Sequence, residues 1–307
     1  MTMMMISFLN RQTMNELKEC RLCPRDCKVN RYNSLGFCKA SNKLRVALAS
    51  VHMWEEPCIS YKNGSGTIFF SHCNLKCVYC QNYSIRDGYG KDISVNRFSD
   101  ICIELQNKKV HNINLVTPTH YVPQIIKGIS KARKRGLTLP IVYNTSGYES
   151  VTTIFLLNKT VDIYLTDLRY YDNKYGKKYS CVDNYFDKAS KAIEAMYNQV
   201  GVPVFDGDIL IKGVIVRVLL LPSILEDAKN IIKYLYNKYQ DNIIISIMNQ
   251  YTPVKEFKYS ELNRKVTDEE YNELIEYAYD LGVRNAFVQE DGTASESFIP
   301  KFDKEGV

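Results

Sequence analysis

From about residue 63 onward the chain alternates short apolar runs with amphipathic stretches, and this alternation limits the folds open to it. The apolar runs fall at 67–70, 112–117, 139–143, 161–166, 212–219, 243–247 and 284–288. Between them lie stretches of helical period. Phe98, Ile101, Cys102 and Leu105 share one face of a helix over 97–110, which makes Cys102 a core residue and not a ligand. Val122, Ile125, Ile126 and Ile129 mark the next helix, stopped at Gly136. Further helices are expected at 149–157 and 185–198, and after capping boxes at Ser223-x-x-Glu226 and Thr267-x-x-Glu270. The tyrosine-rich stretch 168–183 reads as a loop that covers a pocket or docks a partner. Strand and helix alternate about six times with no antiparallel hairpin signal between them, so the fold class is α/β with a parallel sheet and right-handed crossovers. No Gly-x-Gly-x-x-Gly opens the first crossover, which counts against a dinucleotide fold. The alternation fits a partial barrel and an open doubly wound sheet equally.

Seven of the ten cysteines stand in two groups. Cys73, Cys77 and Cys80 form a C-x3-C-x2-C run directly after Thr67-Ile68-Phe69-Phe70, with Tyr79 before the last thiol. Four thiolates close the shell of a zinc ion or an ordinary iron–sulfur cluster. Three leave a metal position open to a substrate or cosubstrate. The plain readings of the same spacing are a zinc site short of one ligand and three buried thiols without metal. Cys20, Cys23, Cys27 and Cys38 form the second group, among turns set by Pro24 and Gly36. That set suits structural zinc or a fully ligated auxiliary iron–sulfur cluster, or a knuckle that only pins the N-terminus to the rest. Residues 44–54 read as a strand or paired ribbon; His52, Glu55, Glu56 and Cys58 after it read as a loop at the barrel mouth in preference to a metal site. Residues 1–19 read as a short leader helix or a loose terminus docked through Met14, Leu17 and Cys20.

Sites in parallel barrels gather at the C-terminal strand ends. Those ends offer the first cysteine run, then Thr117-Pro118-Thr119-His120, Asn144-Thr145-Ser146-Gly147, Asp167 with Arg169, Arg217, and Asn249-Gln250-Tyr251. Polar residues recur where the core pattern stops, as a ligand pocket requires.

With these residues in view, the sequence resembles the radical S-adenosylmethionine (SAM) enzymes, and among them the uncharacterised proteins named for similarity to pyruvate formate-lyase activating enzyme. The resemblance runs from about Cys20 to Gln289. It is carried by Cys-Arg-Leu-Cys-Pro-Arg-Asp-Cys at 20–27, Gly-Ser-Gly-Thr-Ile-Phe-Phe at 64–70, Cys80-Gln81-Asn82, Asn-Ile-Asn-Leu-Val-Thr-Pro-Thr-His at 112–120 and Tyr-Asn-Thr-Ser-Gly-Tyr at 143–148. The resemblance implies a (β/α)6 partial TIM barrel over 63–290, a cysteine-rich N-terminal extension over 1–62 and a C-terminal tail over 291–307. It implies that Cys73, Cys77 and Cys80 hold a 4Fe–4S cluster whose fourth iron is chelated by SAM, and that Tyr79 packs on the adenine. One electron, from a reductant such as flavodoxin or ferredoxin, then cleaves SAM to a 5′-deoxyadenosyl radical that abstracts hydrogen. The hydrogen donor is a glycine of a partner protein if the chain is an activase, and otherwise a small molecule or peptide. Thr117, Thr119, Asn144 and Ser146, with Asn82, suit the amino group and hydroxyls of SAM; Arg217 suits its carboxylate, and Asp167 its amino group or ribose. Arg169, Gln250 and Tyr251 are the candidate substrate contacts, and His120 is a candidate proton donor or substrate contact. Thr-Pro-Thr-His at 117–120 stands where many of these enzymes carry Gly-Gly-Glu, so the usual glutamate contact to SAM is absent there or remade.

Charge excludes less. Forty Lys and Arg against 34 Asp and Glu give +6, spread along the chain. The densest cluster, Lys131-Ala132-Arg133-Lys134-Arg135, ends a predicted helix, where cations suit the dipole, so no nucleic-acid partner is expected. The apolar runs are too short for a membrane span, and the N-terminus lacks the basic start and cleavage site of a signal peptide, so a cytoplasmic protein is expected. No Ser-His-Asp or paired-carboxylate motif supports hydrolysis. The competing class is a zinc-binding interaction module, for which six strand–helix units are more scaffold than is needed.

Overall fold

The computed structural model describes residues 16–289 and 300–307. Most of the expected leader, with Met14, and the first part of the expected tail lie outside the described residues. In chain order the strands are β1 (Leu44–His52), β2 (Ser65–Phe70), β3 (Lys91–Ile93), β4 (Ile113–Val116), β5 (Ile141–Thr145), β6 (Ile163–Asp167), β7 (Val204–Asp206), β8 (Ile209–Leu219), β9 (Ile244–Met248) and β10 (Ala286–Val288). The helices are α1 (Pro57–Ser60), α2 (Tyr83–Arg86), α3 (Val95–Asn107), α4 (Val122–Lys134), α5 (Val151–Leu156), α6 (Asn173–Ser180), α7 (Tyr185–Val200), α8 (Leu225–Tyr239) and α9 (Asp268–Leu281).

The sheet runs β10-β9-β8-β6-β5-β4-β2-β1-β3. From β2 through β10 every neighbouring pair along this path is parallel, and six crossovers join those strands. The fold is therefore the expected α/β partial barrel, with its two sheet ends left unpaired to each other. β1 extends it antiparallel along β2, and β3 along β1. The tail residues Lys304 and Glu305 continue that edge: Lys304 N–H donates to Ala47 C=O, and Ala49 N–H donates to Glu305 C=O, each at 3.0 Å.

Local chemistry sets the helix ends. Ser94 accepts from Arg97 N–H at the start of α3, whose Phe98, Ile101, Cys102 and Leu105 are buried as their spacing demands. Thr267 and Glu270 close the capping box of α9, and Gly282 ends it at φ +107°. Three expectations need correction. Ser223 does not cap α8: it sits at φ +67°, and its hydroxyl accepts from Arg264 at 3.2 Å. The stretch 168–183 is not all loop, because Asp172 caps α6 by accepting from Lys174 N–H at 2.9 Å. A hairpin does interrupt the alternation, since β7 pairs antiparallel with β8 across Gly207, at φ +59°. Asp206-Gly207 is its turn signal.

The described core has two main parts and two small clusters, one around Leu48 and Phe69 and one around Leu22. The larger lies between the helices and the outward face of the sheet. The smaller fills the barrel: Val142, Ile163, Leu165, Leu210, Ile215 and Ile244, capped from below by Cys58 and Ile59 of α1. Because β1 runs antiparallel to β2, the loop 53–60 reaches the N-terminal strand ends. It is thus the floor of the barrel and not the mouth, where the sequence placed it.

The N-terminal knuckle is tied to this frame. Arg31 is fully buried and donates to the carbonyls of Ala40, at 3.2 Å, Ser41 and His120. Leu17, Cys20 and Leu22 form a small cluster, and Thr153 donates to Leu22 C=O at 2.8 Å.

Candidate active site

The β6–β8 register sets Asp167 opposite Arg217, and the β8–β9 register sets Arg217 opposite Ser246. With side chains alternating across each strand, Asn144, Asp167, Arg217, Leu219, Ser246 and Met248 all face the barrel interior above the apolar layer. They line a cavity of about 430 Å³, within the range of small-ligand sites. Tyr79, Cys80, Gln81 and Asn82 line it from the mouth, and Glu55 and Glu56 from the floor. Phe287 and Val288 of β10 and the following Gln289 also line it, as do His52 of β1 and Phe69 of β2.

The wall is a continuous polar network. Arg217 donates from Nε to Asp167 at 2.8 Å and from Nη2 to Asn144 Oδ1 at 2.7 Å. Arg169 Nη2 donates to the other oxygen of Asp167 at 2.6 Å. Burial pushes the Asp167 carboxyl up, but the guanidiniums of Arg217 and Arg169 outweigh that and hold it below its usual range. Glu55 accepts from Asn114 at 3.0 Å and from Asn144 at 3.3 Å, and lies 3.7 Å from Arg217.

The cluster-type loop follows the C-terminal end of β2. Cys77 is buried, while Cys73 and Cys80 are partly exposed; all three thiols are free. Burial, reinforced by the neighbouring Cys77, pushes Cys73 up to about 12 and Cys80 up to about 11, so these thiols hold their protons at neutral pH until a metal takes them. The loop is braced from behind. Val78 N–H donates to Tyr179 C=O at 2.8 Å, Arg86 to Cys77 C=O at 2.8 Å, and Arg25 to Asn74 C=O at 3.1 Å. The Cys77 thiol lies 2.9 Å from the Ser180 hydroxyl, which lies 2.7 Å from Tyr170, and Tyr170 is 2.6 Å from the Tyr79 hydroxyl. The tyrosine-rich stretch therefore backs the cysteine loop through α6, and beyond Arg169 it adds no side chain to the cavity wall.

Among the described residues no three His, Cys, Asp or Glu side chains converge to hold one metal ion. The tetrahedral shell allowed by the spacing of Cys20, Cys23, Cys27 and Cys38 is thus not preformed, and metal would have to draw those thiols together. A 4Fe–4S cluster asks for a looser arrangement, since each thiolate binds a different iron. Three free thiols on one braced loop, at the rim of a polar cavity, form a donor set that fits it.

The structure sorts the remaining site residues. Tyr79, Asn82, Asn144, Asp167, Arg169, Arg217, Gln250 and Tyr251 share the cavity. Thr117, Thr119, Ser146 and His120 do not line it. Thr119 turns behind the wall to donate to Glu149 at 2.5 Å, and the Thr117 backbone, at φ +58°, ends β4 by donating to Asn144 C=O. His120 is buried against Ser71 C=O, 2.8 Å from Nε2, and burial with the nearby Arg31 pushes it down to about 3. It is neutral there and packs outside the cavity lining. Glu55 and Glu56 are the site residues the sequence reading misplaced; two carboxylates between an apolar strand and Pro57-Cys58-Ile59 were the available signal.

Known proteins carry the same frame. The uncharacterized protein MJ0674 of Methanocaldococcus jannaschii is 32% identical over 280 residues, covering 86% of this chain and 75% of that protein. The crystal structure of Streptococcus suis SuiB bound to precursor peptide SuiA superposes with a TM-score of 0.52 at 15% identity over 72% of this chain, and that of SuiB bound to S-adenosylmethionine with 0.51. The chain spans 47% of SuiB in the first of these and 48% in the second. A likeness at that identity speaks for the fold. The profile of the radical SAM superfamily matches residues 67–220, and with the fold and the relative it places this chain in the radical SAM superfamily.

Proposed function

We propose that the chain is a radical SAM enzyme in which Cys73, Cys77 and Cys80 hold a 4Fe–4S cluster and the cavity beside them takes SAM and the hydrogen donor. Held by these thiolates, such a cluster would supply one-electron reduction of SAM, fed by an external carrier of the flavodoxin or ferredoxin kind, for hydrogen abstraction from the donor. The observation that carries this reading is the position of the three thiols, on a braced loop after the first parallel strand, with Cys80 lining the cavity that Asn144, Asp167 and Arg217 make polar. The chain's own residues bind and orient. Tyr79 and Asn82 line the cavity mouth beside Cys80, and Asn144 and the Asp167–Arg217 pair present an amide, a carboxylate and a guanidinium to the polar groups of SAM. Cys20, Cys23, Cys27 and Cys38 would hold zinc or an auxiliary cluster, beside the Arg25 that ties the knuckle to Asn74.

The same cavity favours a charged small molecule or a peptide side chain as hydrogen donor over a glycyl partner protein, because a glycine backbone brings no charge to meet the carboxylates at its floor. The test is anaerobic. The chain is reconstituted with iron and sulfide, its iron, sulfide and zinc are counted, it is reduced, and 5′-deoxyadenosine is measured after SAM is added. Iron at about four per chain with zinc in the knuckle, or at about eight with an auxiliary cluster there, together with product, supports the reading. Zinc in both cysteine groups with intact SAM ends it, as does a Cys77→Ala chain that still makes 5′-deoxyadenosine.

A further inference from the structure

Three carboxylates face the cavity, from Glu55, Glu56 and Asp167, against two guanidiniums, from Arg169 and Arg217. Asp167 takes both guanidiniums, at 2.6 and 2.8 Å. Glu55 is met by the amides of Asn114 and Asn144, with Arg217 at 3.7 Å. Glu56 is left over. It is 8% exposed, and its Oε2 has no hydrogen-bond partner. In the same network Asn114 Oδ1 is also buried without one. Asn114 Oδ1 is an acceptor, and so is Glu56 Oε2 when the carboxyl is ionised; what the floor then lacks is a donor.

The chemistry of the floor narrows that donor. A buried carboxylate calls for a cation before it calls for a neutral hydroxyl. A hard metal ion would need more oxygen ligands than this pair supplies, and among the described residues no third acidic or imidazole group converges with the two glutamates. An ammonium or guanidinium carries several N–H donors and meets adjacent carboxylates without a closed shell. The amino group of SAM is the wrong candidate, because it must reach the cysteine loop at the C-terminal strand ends, and the glutamates enter from the N-terminal ends.

We propose that Glu55 and Glu56 anchor the substrate through an organic cation, a primary ammonium or a guanidinium, so that its hydrogen-bearing carbon lies further up the cavity toward Tyr79 and Cys80. This rests on the proposed function, of which it specifies the substrate class. Phe287 and Val288 of β10, with His52 of β1 and Phe69 of β2, add the apolar part of the cavity lining.

The experiment uses the full chain, reconstituted anaerobically. Calorimetric titration compares pentylamine and butylguanidine with pentanol and with glutarate, and a blocked Gly-Lys-Gly tripeptide separates a free amine from a lysine side chain. The expected result is saturable binding of the cations, at least tenfold tighter than the neutral and anionic probes. Glu56→Gln weakens that binding at least tenfold, and Glu56→Asp restores part of it. Equal binding of pentylamine and pentanol to the native chain overturns the proposal without any variant, and so does a folded Glu56→Gln chain that binds pentylamine as the native chain does. 5′-Deoxyadenosine formation by the native chain is measured in parallel: if it forms while cation selectivity is absent, the anchor is wrong and the radical chemistry stands. If cations bind through Glu56 but SAM stays intact, the radical reading fails and the substrate assignment goes with it.

Discussion

Arg217 and Asp167 face each other across β6 and β8 and are joined at 2.8 Å inside the barrel, with side chains only 16% and 13% exposed. The register makes the pair; burial makes it matter. Removing one partner strands the other charge in a poorly solvated wall. Arg217→Ala should therefore lower unfolding free energy by about 3 kcal/mol, because Glu55 loses its cation and Asp167 keeps only Arg169. Arg217→Ala together with Asp167→Asn should cost less than the sum of the two single variants. Urea unfolding of the two single variants and the double decides this, and strict additivity would mean that the pair is not coupled.

Glu149 sits behind the cavity wall, fully enclosed, with hydroxyl donors from Thr119 and Thr145. Burial pushes it from an ordinary 4.5 up to about 7. The folded chain thus prefers it protonated. Its contribution to stability is whole below about 4.5 and is lost as pH rises toward 7, by about 3 kcal/mol in all. Glu149→Gln keeps a carbonyl for the two hydroxyls and does not ionise. Melting temperature against pH should fall less steeply for the variant between pH 5 and 8, with the variant the more stable chain at pH 8. Parallel curves would show that Glu149 does not titrate in this window.

Ser180 lies 2.9 Å from the Cys77 sulfur and is held there by α6. If Cys77 binds iron, the Ser180 hydroxyl becomes a donor to a thiolate, and such donors raise a cluster's reduction potential. Ser180→Ala should keep its iron count, take a more negative potential and make 5′-deoxyadenosine several-fold more slowly at a fixed reductant. A redox titration followed by electron paramagnetic resonance checks this. An unchanged potential with slower turnover would assign Ser180 to packing alone.

Periodicity carried the barrel, because β-strands buried on both faces and helices with one apolar face leave different patterns. Phe98, Ile101, Cys102 and Leu105 are buried as their spacing requires. What failed was local. Ser223-x-x-Glu226 has the letters of a capping box, yet Ser223 at φ +67° is recruited by Arg264 from another part of the chain, which a window of four residues cannot show. Cavity membership was legible for residues on strands, such as Asn144 and Arg217, where alternation fixes direction. It was not legible for Thr119 and His120, where a short 3-10 turn over Thr119–Tyr121 rotates the side chains behind the sheet. The end of the barrel to which residues 53–60 belong depends on β1 being antiparallel to β2, a fact of pairing and not of composition.

The packing of α3 on α4 offers a test with a sign opposite to the usual rule. Glycine inside a helix normally costs about 0.5–1 kcal/mol against alanine, so Gly128→Ala in mid-α4 would ordinarily stabilise. Here a β-carbon on Gly128 would stand 2.2 Å from Phe98 Cδ1 and 2.7 Å from Cε1. Phe98 is fully buried and also packs against Phe70 of β2, with ring centroids 5.9 Å apart, so its ring has no exposed side to turn toward. Gly128→Ala should lower stability by about 1–3 kcal/mol through overpacking. Pairing it with Phe98→Leu should give back part of the loss, although Phe98→Leu alone is destabilising. Equilibrium unfolding of the single and double variants forms a complete cycle. Strict additivity would show that the two helices are spaced by other contacts, and a gain from Gly128→Ala alone would mean that α4 moves off α3 at no cost.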